Sequence, residues 1–141
     1  MRVFFDTSVL IPVFLEAHEH HIPSLRAFLK TEPGQAYCSS HGLAEFYSTL
    51  TRLPGSHRLS GEQVLLFLGD IRERLVIESL TVEENWKLLE DAAASGITGG
   101  LTYDLIQARC ALRAGANVLF TWNTKHLLRL GKEISQIARN P

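Results

Sequence analysis

Val3-Phe4-Phe5-Asp6-Thr7-Ser8-Val9-Leu10, directly after Met1 and Arg2, has the pattern of a buried strand running into a helix. Val3, Phe4 and Phe5 are β-prone and apolar, with no polar alternation between them. Such a run suits a strand covered on both faces, as in a parallel sheet. Asp6 stands where that strand ends. In open α/β sheets, ligands bind at the carboxyl ends of strands. A carboxylate there is suited to hold a hard divalent cation through oxygen. It is equally suited to cap a helix, and Asp, Thr and Ser all serve that purpose before a helix beginning near Val9. The turn by itself leaves both roles open.

The chain of 141 residues is long enough for one domain with a real core, and 45% apolar content argues against wholesale disorder. Fourteen basic and fifteen acidic side chains give a net charge of −1, so no global attraction to nucleic acid follows. Cys38 and Cys110 lie far apart in apolar segments and form no metal-binding pair. Both read as small buried hydrophobes, suited to a reducing, cytoplasmic setting. His18, His20 and His21 read as a solvated surface cluster. No apolar run is long enough for a membrane span, and no signal-peptide pattern opens the chain, so no membrane partner is expected.

Outward from the opening strand, strand and helix signals alternate. Helices are expected over residues 9–15, 21–30 and 42–53, with a strand over 35–38 between the last two. Leu43, Phe46, Tyr47 and Leu50 mark the inner face of the third helix. Two capping boxes, Ser60-x-x-Gln63 and Thr81-x-x-Glu84, open further helices on either side of a strand over 76–80. Val82, Trp86, Leu89 and Ala93 form the apolar stripe of the second of these. An apolar helix over 102–114, a strand over 117–120, a helix over 124–130 and a last edge strand over 133–138 complete the pattern. The glycine-rich approach 95–100 matches no phosphate-binding loop and reads as a turn. With no repeat or linker, residues 1–141 form a single α/β domain.

Three other polar positions stand in places comparable to Asp6. Glu45 lies on the third helix, away from its apolar stripe, where the helix alone favours a solvated face over a site. Asp104 lies in the first turn of the apolar helix, where the helix dipole favours an anion. Asn123 follows the strand ending at Phe120, where Asn also serves as a cap.

Order and spacing make these positions specific. FFDTSVL, then GLAEFYSTLTR, then LTYDLIQARCALRAGA, then a strand ending in TWNTKHL resemble the PIN-domain ribonucleases, and most closely the small VapC-type toxins of toxin–antitoxin pairs. The resemblance covers nearly the whole chain. It implies a PIN-like three-layer α/β/α fold with a central, mostly parallel sheet. It implies that Asp6, Glu45 and Asp104 bind Mg2+ or Mn2+, with Asn123 at a fourth position that is normally Asp. Asn keeps an oxygen ligand and lacks the charge. Thr7, Ser8 and Thr121 are candidates to support the ligands from a second shell. Arg52, Arg58, Arg109, Arg113 and Lys125 are candidates for phosphate contacts. Expected partners are an RNA substrate, an antitoxin protein and a second copy of the chain. The dimer would use the helix after Ser60, whose Leu65, Leu66 and Phe67 widen its apolar face. The competing reading is a catalytically weak PIN-like module that binds RNA or protein without cutting. A haloacid-dehalogenase-like phosphatase fits less well, because it needs a second Asp where Ser8 stands.

Overall fold

The computed structural model of the chain describes residues 1–141. Strand β1 (Val3–Phe5) leads into α1 (Thr7–Val13) and α2 (His21–Leu29), and β2 (Ala36–Ser39) leads into α3 (Ser40–Thr51) and α4 (Gly61–Arg74). Strand β3 (Val76–Glu78) is followed by α5 (Val82–Ser95) and α6 (Leu101–Arg113). The chain closes with β4 (Val118–Phe120), α7 (Thr124–Leu127), α8 (Lys132–Ile137) and β5 (Ala138–Arg139). The sheet order is β3-β2-β1-β4-β5 and every pairing is parallel. The expected mostly parallel sheet is thus wholly so. Strand order reverses at β1, which lies between β2 and β4, and their carboxyl ends form the switch-point crevice.

Alternation along the strands builds the three layers. Phe5, Ala36 and Cys38 face one side, where they pack with Val9, Leu10, Phe28, Phe46, Leu50, Val64 and Ile71 from α1–α4. Phe4, Tyr37 and Leu119 face the other, against Ala108, Cys110 and Ala111 of α6, Leu127 of α7 and Ile134 of α8. Phe4 and Phe5 are fully buried. Each contributes roughly 1.5–3 kcal/mol by leaving water, and that anchors the strand from which Asp6 emerges. Burial pushes the Cys38 thiol up to about 12 and Cys110 to about 11, so both are inert packing groups.

Both capping boxes are formed: the Ser60 hydroxyl accepts from Gln63 N at 3.2 Å, and the Thr81 hydroxyl from Glu84 N at 3.1 Å. Three expectations need correction. The stripe Val82, Trp86, Leu89 and Ala93 faces solvent, with Trp86 67% exposed, and α5 buries Leu88 and Ala92 instead. Two apolar stripes one residue apart share this helix, and only packing against α6 selects between them. Tyr47 is also exposed, while Phe46 and Leu50 carry α3's core face. Residues 133–138 are mainly helical, and only Ala138 and Arg139 form a strand. Ile134 and Ile137 stand three apart, a helical spacing, and Gly131, at φ 116°, turns the chain into α8.

Candidate active site at the sheet switch point

Asp6 caps α1 and stands at the candidate site. Its Oδ1 accepts from Thr7 N at 2.9 Å, so α1 starts at Thr7, earlier than the apolar pattern suggested. Its Oδ2 accepts from the Ser8 hydroxyl at 2.7 Å and the Thr121 hydroxyl at 2.8 Å. Thr121 follows β4, so this bond joins the two central strands at their carboxyl ends. Ser8 Oγ in turn accepts from Trp122 N, and Thr121 Oγ1 from Asn123 N, both at 2.9 Å. The hydroxyl protons are thereby committed to Asp6. The carboxyl group is buried, and that burial raises its pKa even against the hydrogen bonds that favour the anion.

A second polar layer fixes the helices around it. Gln107, 2% exposed in the middle of α6, donates to Thr7 Oγ1 at 2.8 Å and accepts from the Ser39 hydroxyl. Ser39 caps α3 by accepting from Gly42 N at 2.8 Å. A side chain at Gly42 would put a Cβ 2.9 Å from Gln107 Nε2 and 3.0 Å from both Ser39 Oγ and Thr7 Oγ1. Only glycine lets these groups meet, one helical turn before Glu45. This layer was missed in the sequence. Its one signal is a Gln inside an otherwise apolar helix.

Glu45 is half-buried, not on a fully solvated face. Its pKa is pushed up to about 7 by burial first, then by the charges of Asp6 and Asp104. Asp104, in the first turn of α6, is raised by burial and by Asp6, with His126 opposing at 3.7 Å. The three carboxylates therefore share one electrostatic neighbourhood. No group of His, Cys, Asp and Glu is compact enough to form a ready metal cage as it stands. His41 Nε2 lies 2.8 Å from Glu45 Oε1, yet both atoms are buried without a hydrogen-bond partner. The two are close but misaligned. Burial lowers the pKa of His41 while that of Glu45 is raised, so both are driven toward neutrality and the contact is not a strong ion pair. The orphaned Oε1, beside two repelling carboxylates, fits an oxygen-preferring divalent ion, which would satisfy it and relieve the repulsion.

Asn123 is exposed at the start of α7, and its side chain makes no capping bond. Of the basic candidates, Arg109 pairs with Asp91 and Arg113 with Glu78 and Glu84, while Arg58 Nε donates to Leu53 O. Arg52 lines the cleft that contains Glu45, with His41, Ser48, Thr49 and Tyr103, and forms no salt bridge. Lys125 is exposed two residues after Asn123. The histidine segment is more ordered than a solvated cluster: His20 stacks on Trp122 at 3.8 Å and His21 Nδ1 meets Pro12 O at 2.7 Å. Trp122 Nε1 donates to Ser24 Oγ at 2.9 Å, so α2 is pinned beside the site. His41 and Tyr103 also went unread in the sequence. The i,i+4 spacing of His41 and Glu45 and the adjacency of Tyr103 to Asp104 were the available signals.

Residues 3–133 match the PIN domain family. Ribonuclease VapC40 of Mycobacterium tuberculosis is 34% identical over 116 residues, covering 81% of each chain. The crystal structure of VapC20 of M. tuberculosis, a sarcin–ricin loop cleaving toxin, superposes with TM-score 0.70 at 17% identity over 88% of this chain and 92% of that one. VapBC2 of Rickettsia felis, bound to a DNA fragment from its promoter, superposes with TM-score 0.68 at 21% identity over 100% of this chain and 99% of that one. At such identities these two structures speak for the fold. The family match runs from β1 into α8 and spans every element that contributes to the acidic centre; the chain therefore belongs to the PIN-domain family, among its VapC-type ribonucleases.

Proposed function

We propose that this chain is a Mg2+- or Mn2+-dependent endoribonuclease and the toxin of a toxin–antitoxin pair. The observation that carries the reading is Glu45 Oε1, buried beside His41 Nε2 without a hydrogen bond, at a centre where Asp6 and Asp104 raise the pKa of Glu45, Asp6 raises that of Asp104, and no Lys or Arg forms a salt bridge with any of the three. These three residues would hold the ion, with the Asn123 amide oxygen in the fourth position. A bound ion supplies charge neutralisation at the phosphate and an activated water for in-line hydrolysis.

The chain's own groups do the positioning. Ser8 and Thr121 lock Asp6 Oδ2 through their hydroxyls, and Thr7 N holds Oδ1, which fixes the carboxylate's orientation. Glu45, titrating near 7, loses its proton easily at neutral pH when a cation arrives. Arg52 is the cation of the adjoining cleft and suits a substrate phosphate.

The partners follow the same reading. VapBC2 is a toxin–antitoxin complex, and an antitoxin is proposed for this chain by its kinship. A homodimer through α4 would cover Leu65 and Leu66, the latter 73% exposed; Phe67 packs inward and is not available to it. No helix is long and apolar enough to cross a membrane, and the two buried free thiols suit the cytoplasm.

The test is cleavage of a fluorogenic RNA in Mn2+, Mg2+ or EDTA. Cleavage in either ion that stops in EDTA supports the reading. RNA retained in every condition without cleavage would instead establish the binding-module alternative.

A further inference from the structure

Tyr103 is the residue before Asp104, and its ring is stacked on His41 with centroids 5.2 Å apart and planes 15° from parallel. His41 covers one face, yet Tyr103 remains 55% exposed on a folded helix. An aromatic ring left open in this way has surface to offer a second flat partner. The same cleft holds Arg52, Ser48, Thr49 and the Glu45 carboxylate. A planar platform, a cation, two hydroxyls and an acidic centre match the parts of a nucleotide: base, phosphate, sugar edge and reacting phosphodiester. Single-stranded RNA is bound in this manner, with unstacked bases laid on aromatic rings and the backbone held by Arg or Lys. The other stack near the site, His20 on Trp122, offers less. The Trp122 indole is committed to Ser24 and packs against the core.

We propose that Tyr103, backed by His41 and sharing its cleft with Arg52, is the platform on which one base of the RNA stacks next to the bond that is cut. The assignment rests on the ribonuclease reading above and adds the residue that grips the base. Tyr103 is a substrate-binding residue here, and His41 positions it.

The test measures binding apart from cleavage. Fluorescein-labelled single-stranded RNA ten-mers of randomised sequence are titrated by anisotropy in Ca2+, whose loose coordination holds phosphate without the strict geometry that hydrolysis needs. A parallel series carries a single abasic nucleotide moved along the strand, and cleavage is followed separately in Mn2+. Tyr103→Ala should weaken binding by about 5- to 100-fold, the loss of one stacked base, and Tyr103→Phe should bind like the wild type. The wild type should lose a similar factor when the abasic site reaches one position, and Tyr103→Ala should be indifferent to it.

Tyr103→Ala binding as tightly as the wild type overturns the platform while leaving the ribonuclease intact. So does weaker binding that keeps its full sensitivity to the abasic site, because Tyr103 would then act only on folding or on Glu45. A wild type that neither binds nor cuts RNA removes the ribonuclease reading, and the platform with it.

Discussion

Two acidic clusters stand on α6 and its neighbours, and their electrostatics run in opposite directions. Beside the second half of α6, Asp91 meets Arg109 at 2.8 Å and Lys87 at 3.1 Å, while Glu78 and Glu84 meet Arg113 at 2.8 and 3.0 Å. Hydrogen bonds to those cations hold Asp91 below the usual carboxylate range, and those to Thr81 and Arg113 do the same for Glu84. Beside the first half, Glu45 and Asp104 pair only with histidines, His41 and His126, Asp6 forms no ion pair, and all three pKa values are raised. Both clusters are built from the same residue types. One is balanced within the chain, whereas the other gathers carboxylates in a buried to half-buried place with no Lys or Arg bridged to them. Acidic residues by themselves therefore say little, and the missing counter-charge is what marks the site.

The difference should break most sharply under charge removal. Glu45→Gln should lower RNA cleavage at least about 100-fold, in the range for removing an essential acid–base or ligand group. In the metal-free protein it should leave the melting temperature unchanged or higher, because like-charge repulsion is relieved. Cleavage within a few-fold of wild type would remove Glu45 from the chemistry.

Gly42→Ala tests the frame instead of the charges. Its methyl would separate Gln107, Ser39 and Thr7, costing about 1–3 kcal/mol by overpacking and broken buried hydrogen bonds. Urea denaturation reads the stability, and cleavage should fall with it because Glu45 is carried on the same helix. An unchanged midpoint would mean that the network repacks at no cost.

The two clusters respond to acid with opposite signs. Glu45 has its folded pKa raised from 4.5 to about 7. The folded state thus holds the proton more tightly than the unfolded chain, and its contribution to stability is full below 4.5 and lost as pH rises to 7. Asp91 and Glu84 have the opposite sign, with stability lost as pH falls through their depressed values. Because Mn2+ must displace the Glu45 proton, its affinity by calorimetry should rise roughly 30-fold from pH 5.5 to 8, as for one group titrating near 7. Glu45→Gln should flatten that dependence, and a flat profile in the wild type would refute the assignment.

Asn123 offers a smaller effect. Its side chain makes no cap bond, so Asn123→Ala should cost under about 0.5 kcal/mol in a thermal melt, not the ~1 kcal/mol of a lost cap. Asn123→Asp should tighten Mn2+ by adding a charge beside the ion. Unchanged affinity in both variants would reduce the site to three carboxylates. On cleavage the smallest effect is expected of Arg113→Ala, which should leave RNA cleavage at the wild-type level and lower the melting temperature, since Glu84 is solvent-exposed whereas Glu78, 16% exposed, loses its counter-charge.

Much of this molecule was legible in the chain itself. The run Val3–Phe5 and the two capping boxes pointed to the α/β class and the helix starts, because caps and strand ends are local and depend on a few adjacent residues, whereas the acidic centre was implied only by the resemblance of the order Asp6, Glu45, Asp104, Asn123 to the PIN-domain pattern. Other features depend on distant groups and were decided only by packing. The stripe of α5 that faces solvent was settled by contact with α6. The helical turn at Ile134 was settled by its burial beneath the sheet. The paired state of Arg109 and Arg113 was settled by where Asp91, Glu78 and Glu84 came to lie, and the place of Arg52 in the Glu45 cleft by the course of α3. Adjacent residues specify which carboxylates exist and which elements begin beside them. Which of those carboxylates meet a cation and which face one another is set by packing, because it depends on separations across the fold and on exclusion of water, and neither is a property of neighbouring residues.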